Sequence, residues 1–133
     1  MKRLCFALFM LQAPAATTKQ LMVDLIHPAA NDILLFVNRG ASSDEKQWAA
    51  VRRSALALAE SGNLLMMRGR SMDEAEWMKD AKMLVDAGTA AYKAAQARDA
   101  KALAGLTDAI DASCTTCHKQ YRPNVFPRDG GPK

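Results

Sequence analysis

The sequence predicts an all-α protein, an antiparallel four-helix bundle. Good helix formers, chiefly Ala, Leu, Met, Lys and Glu, dominate the chain after residue 15. Four stretches repeat apolar residues at steps of three and four, and no alternating strand pattern of useful length occurs. The connections between the four stretches are short, which makes neighbouring helices antiparallel.

The first residues do not belong to the bundle. Lys2 and Arg3 give a positive start, Leu4 to Leu11 form a short apolar run, and Ala13-Pro14-Ala15 offers small residues. This is the three-part pattern of a secretory signal peptide, with cleavage expected after Ala15. The apolar run is far too short to span a bilayer, which takes about 20 residues. An N-terminal anchor or a buried first turn is the competing reading. The expected division is therefore a signal peptide at 1–15 and one domain at 16–133, within a chain of 133 residues.

Segment A runs from about Thr18 to Val37. Met22, Leu25, Ile26, Ala29, Ile33, Phe36 and Val37 form its apolar face. Pro28 sits inside it, removes the hydrogen bond to the Asp24 carbonyl and predicts a kink. Arg39-Gly40 supplies a C-terminal signal. Segment B opens on Ser42-Ser43-Asp44-Glu45, a capping-box pattern from Ser42 to Glu45. Trp48, Val51, Ala55, Leu58, Gly62 and Leu65 then make a bundle seam, and Gly69 is the expected stop. Segment C opens the same way on Ser71-Met72-Asp73-Glu74. Its seam is Trp77, Ala81, Leu84, Gly88, Ala91 and Ala95. Residues this small admit either a bulky group or a neighbouring helix. Segment D carries Leu103, Leu106 and Ile110, and this stripe runs into Cys114, Cys117 and Tyr121 before Pro123 ends the helix.

The chain holds 18 Lys and Arg against 14 Asp and Glu, and losing Lys2 and Arg3 leaves 16 against 14. No basic stripe remains to suggest nucleic acid. Of three cysteines, Cys5 would leave with the signal. Cys114 and Cys117 remain, and a disulfide between them would close a tiny loop that stabilises little.

Cys114-Thr115-Thr116-Cys117-His118 is instead a Cys-x-x-Cys-His motif, the attachment signal for a c-type haem. On a helix its three ligating residues stand at i, i+3 and i+4 and share one face. Both thiols can add to haem vinyl groups, and His118 can stand beneath the iron as a neutral imidazole ligand. A zinc site would need about four ligands, and outside the motif only His27 is available as a histidine. A thioredoxin-like pair belongs at a helix N-terminus after a strand, not near the end of a helical chain. With one covalent haem c, the two propionates bring the net charge close to zero. Nothing after His118 can serve as a methionine ligand, since the last methionine is Met83.

With this motif near the C-terminus, followed by Tyr121-Arg122, the chain resembles the class II cytochromes c, the cytochrome c-prime family. The resemblance covers the whole chain after residue 15, and its specific part is the haem motif. It implies a left-handed four-helix bundle, a bacterial periplasmic location and often a homodimer. One branch of that family has a five-coordinate iron that binds gases such as nitric oxide. The other has a methionine on the first helix as sixth ligand and carries electrons. Leu21-Met22 matches the place of that methionine, so the resemblance implies Met22 as a ligand. The alternative for Met22 is ordinary core packing. Pro28, six residues on, departs from the family pattern and puts the distal geometry in doubt. His27 is expected as a surface or capping residue, with bis-histidine ligation as the alternative. Arg122, at i+4 from His118, either screens the proximal histidine or is a solvated cation favoured by the helix dipole. Trp48 and Trp77 are expected as core or pocket-lining residues.

The expected function is thus one-electron transfer in the periplasm, with redox proteins as partners and no membrane span after signal cleavage. A gas-binding haem protein is the alternative. No nucleophile–base constellation is present in the sequence, so an enzyme is not expected.

Overall fold

The computed structural model describes residues 13–124. The expected signal peptide at 1–15 lies largely outside the described residues, as do residues 125–133. Among the described residues all regular structure is helical, so the fold is all-α. Four helices are long: α1 (Thr18–Asn38), α2 (Glu45–Leu65), α3 (Glu74–Gln96) and α5 (Thr107–Tyr121). Between α3 and α5 lies the short α4 (Ala100–Ala104).

The helix starts differ in detail from those expected. Thr17 caps α1 in a reciprocal box: the Gln20 amide donates to Thr17 Oγ1 at 3.1 Å, and the Thr17 amide donates to Gln20 Oε1 at 2.9 Å. The box from Ser42 to Glu45 does not form. The Ser42 hydroxyl accepts the Asp44 amide at 3.0 Å, and Asp44 is the cap, accepting the Lys46 amide at 2.9 Å. At α3 the cap position belongs to Asp73, without a side-chain cap bond, rather than Ser71.

The helix ends also differ. Helix α2 stops at Leu65, and Gly69, at φ +91°, serves the turn beyond it. Segment D is not one helix. Asp99 caps α4, accepting the Ala102 amide at 2.8 Å, and the chain breaks at Gly105–Leu106 before α5 begins. Glycine is the weakest non-proline helix former, and the Leu106 amide turns back to the Leu103 carbonyl in a tight i→i−3 bond.

Pro28 acts as a break in register. Met22–Ile26 form a π-helical turn, closed by the His27 amide donating to the Met22 carbonyl, and Pro28 lies directly after it. Proline has no N–H for the Asp24 carbonyl, and widening the turn absorbs that loss.

The core forms chiefly between α2 and α3. All six expected seam residues of each helix are buried. The contact is close because it uses small residues. A methyl group on Gly62 would meet Val85 Cγ2 at 2.5 Å and the Ala81 carbonyl at 2.9 Å. One on Gly88 would run into the backbone of Ala59. So at Gly88 the small seam of α3 admits a neighbouring helix. Helix α1 packs on α2, where Phe36 meets Trp48 edge-on at 4.7 Å, and α5 packs on α3. Helix α1 is also long and apolar enough to cross a membrane, and its Ala29, Ala30, Ile33 and Phe36 are buried in this core. The buried Arg70 ties the ends together: its guanidinium donates to the Leu64 carbonyl at 2.8 Å and to the Ala16 carbonyl at 2.9 Å.

Gly88→Ala is expected to destabilise the protein by about 1–3 kcal/mol through overpacking against backbone. Gly105→Ala, whose new methyl would meet only carbonyl oxygens at 3.5 and 3.6 Å, is expected to be neutral or slightly stabilising. Denaturant midpoints of the two variants check this contrast.

Candidate functional site

A cavity of about 440 Å³ opens where α1, α3 and α5 face one another. Small-molecule sites run from about 300 to 1,000 Å³, so it is large enough to hold a ligand. Met22, Val23, Ile26, His27 and Ala30 line it from α1, and Trp77, Asp80, Ala81 and Leu84 from α3. Cys114, Cys117, His118 and Arg122 line it from α5 and the residue after it, and Leu65 closes in from the end of α2. The five residues singled out in the sequence, Met22, Cys114, Cys117, His118 and Arg122, all border this one space.

Helical spacing accounts for the α5 wall. Cys114, Cys117 and His118 are half-buried on the face continuing from buried Ile110, whereas Thr116 points outward. Ser113 is buried and spends its proton on the Ile110 carbonyl at 2.7 Å. Its oxygen lies 3.9 Å from Cys114 Sγ. On α3, the Trp77 indole N–H donates to the Leu65 carbonyl at 2.7 Å, and its ring meets Tyr121 edge-on at 5.0 Å. This fixes the Trp77 ring as a wall of the cavity. Trp48 does not border the cavity and packs in the core. His27 borders the cavity but is exposed.

The electrostatics follow from burial. Burial pushes the Cys117 thiol up to about 11, with the Asp80 carboxyl and then Cys114 adding to the shift. Burial also raises Cys114; Ser113 opposes this and Asp111 adds to it. His118 is held below the ordinary imidazole range, first by burial and then by the Arg122 cation. At neutral pH the site therefore presents two neutral thiols and a neutral imidazole. A redox-active dithiol needs the reverse, a thiol whose pKa is lowered. Among the described residues no group of three or more His, Cys, Asp and Glu side chains gathers as a metal cage.

Sequence reasoning missed Asp80. It is 3% exposed, a charged residue type in an apolar wall. Its only signal was position, three residues after the seam residue Trp77 and next to Ala81. No family model, curated protein or solved structure matches the chain.

With the thiols raised, alkylation of the haem-free chain lacking residues 1–15 is expected to be slow at pH 7–8. Labelling of Cys117 should climb with pH toward about 11. Peptide-resolved mass spectrometry of iodoacetamide-treated protein measures this, and fast labelling at pH 7 would indicate an activated thiol instead.

Proposed function

We propose that the protein is an exported, periplasmic c-type cytochrome and a one-electron carrier. It would be an antiparallel four-helix bundle of the cytochrome c-prime type, holding one haem c. The observation that carries this reading is the meeting of Cys114, Cys117, His118 and Met22, from opposite ends of the chain, around one cavity.

The residues present fit a haem. Two thiols on one helix face can each form a thioether along one edge of a ring, and His118 on that same face offers a neutral nitrogen. From α1, Met22 offers a thioether sulfur, and a Met/His pair is a usual ligand set of electron-transfer cytochromes. The group supplies a metal that changes oxidation state by one electron. The chain supplies the rest. Trp77, Ala81, Leu84 and Ile26 keep water out, and the Trp77 hydrogen bond to Leu65 stiffens the wall. Arg122, next to His118 on the cavity rim, helps keep the imidazole neutral. Fixed ligands in a stiff, dry site reorganise little when charge changes, which suits electron transfer.

The second reading is a five-coordinate iron that binds small gases. It is favoured by the half-buried state of Met22 and the apolar Val23, Ile26 and Ala30 beside it.

Mass spectrometry of protein from a cytochrome-maturing host is expected to show one haem covalently added to a chain starting near Ala16. Cys117→Ala should leave at best one thioether and little stable holoprotein. An unmodified wild-type chain would sink the proposal.

The optical spectrum tests Met22. The wild type is expected to be low-spin in both oxidation states and to bind carbon monoxide slowly or not at all. Met22→Ala should become high-spin and bind it readily. A wild type that is already high-spin, with no change on Met22→Ala, would make Met22 a packing residue and put the gas-binding reading ahead.

A further inference from the structure

Asp80 stands out among the groups the proposed function does not use. Its side chain is 3% exposed and borders the cavity. Its Oδ2 is buried and takes no hydrogen bond among the described residues. Buried carboxylates are ordinarily paired, because an ionised carboxylate in a dry wall without a partner costs on the order of several kcal/mol.

The neighbours explain why it is unpaired. On its own helix Glu76 and Lys79 act on it with opposite signs, and their ion pair, at 3.5 Å, lies out in solvent. From α5, Cys117 and Tyr121 face it, and neither is a cation. The other charged side chains on the cavity's border, Arg122 and Asp111, are both exposed. Neither donates a hydrogen bond to the buried Asp80 Oδ2. Burial and Glu76 raise its proton affinity, and Lys79 opposes them. Charge placed in the cavity acts on this carboxyl directly, because it borders that space and its Oδ2 is buried without a hydrogen bond.

We infer that Asp80 is a redox-linked proton site: its carboxylate would take one proton from solvent when a haem held in the cavity is reduced by a one-electron donor, and return it on oxidation. The inference rests on the haem reading above, which puts the redox charge in the same cavity. The balance is simple. One electron enters, one proton enters, the carboxylate becomes a carboxylic acid at Asp80, and the net charge of the site is unchanged. The coupling is reciprocal, so a group that binds its proton more tightly in the reduced state also makes reduction easier at low pH. The sign follows. The reduction potential falls as pH rises through the window between the two proton affinities of Asp80, and is flat on either side. Each tenfold difference in affinity between the redox states corresponds to about 59 mV across that window.

The test is a spectroelectrochemical titration of the purified holoprotein over a range of pH, for the wild type and Asp80→Asn. Asparagine keeps the shape and cannot take up the proton. The wild type is expected to show the sloping window and the variant to lose it. In the wild type alone, the reduced-minus-oxidised infrared spectrum should show a protonated carboxyl band appearing on reduction, which decides the matter if the variant fails to fold. A slope that survives in Asp80→Asn, a wild-type potential flat with pH, or a missing carboxyl band would overturn the inference while leaving the haem reading intact. A wild-type protein purified without haem would overturn both.

Discussion

Gly62 and Gly88 let the backbones of α2 and α3 meet, and the positions of the other helices follow from that contact. Because the two helices touch along small residues, their outer flanks are left for α1 and α5. Helix α1 takes the flank of α2, and α5 that of α3. These two then face each other across the space beside α3. The cavity is what remains, and α3 forms its floor with Trp77, Ala81 and Leu84. One seam on α3 thus has two jobs. Toward its C-terminal half it excludes everything but a neighbouring backbone, and toward its N-terminal half it lines a space for a ligand.

Much of this was legible in the sequence, for an identifiable reason. The seams of α2 and α3 repeat strictly at three and four, and every expected seam residue is buried. The Cys114–His118 spacing likewise fixes one helix face whatever surrounds it. Other features depended on competition between near-equal local choices. Ser42, Ser43 and Asp44 can each cap α2, and the carboxylate wins. Thr17 and Gln20 form a reciprocal box directly after the signal pattern, whose small residues at 13–15 mark a cleavage site rather than a helix start. Gly105 splits segment D although the apolar stripe continues across it. Asp80 is the plainest omission, since no period or motif marks a carboxyl whose meaning comes from three helices meeting around it.

Burial gives the site a single electrostatic character. It raises both thiols, lowers His118 and raises Asp80, so these four groups each move toward their neutral form. Such a site disfavours thiolate chemistry. It accords with the covalent attachment and uncharged nitrogen ligand proposed above. It also makes any change of charge inside the cavity costly, so a group able to balance that change with a proton has an effect out of proportion to its size.

The π-helical turn in α1 completes the arrangement. In a regular helix one residue in each turn would face the cavity squarely. In the widened turn, Met22 and His27 are linked by an i→i+5 bond, and Val23 and Ile26 fall beside them, so the wall is broader than one stripe. The cause is local: Pro28 cannot donate to the Asp24 carbonyl, and the turn before it opens by one residue. Single π turns of this kind are frequent at functional sites, because they re-aim side chains without ending the helix. Here Met22 lies in that turn and borders the cavity, across from the helix that carries His118. A proline that looks like a fault in an otherwise regular helix is thus the feature that shapes the wall facing the imidazole.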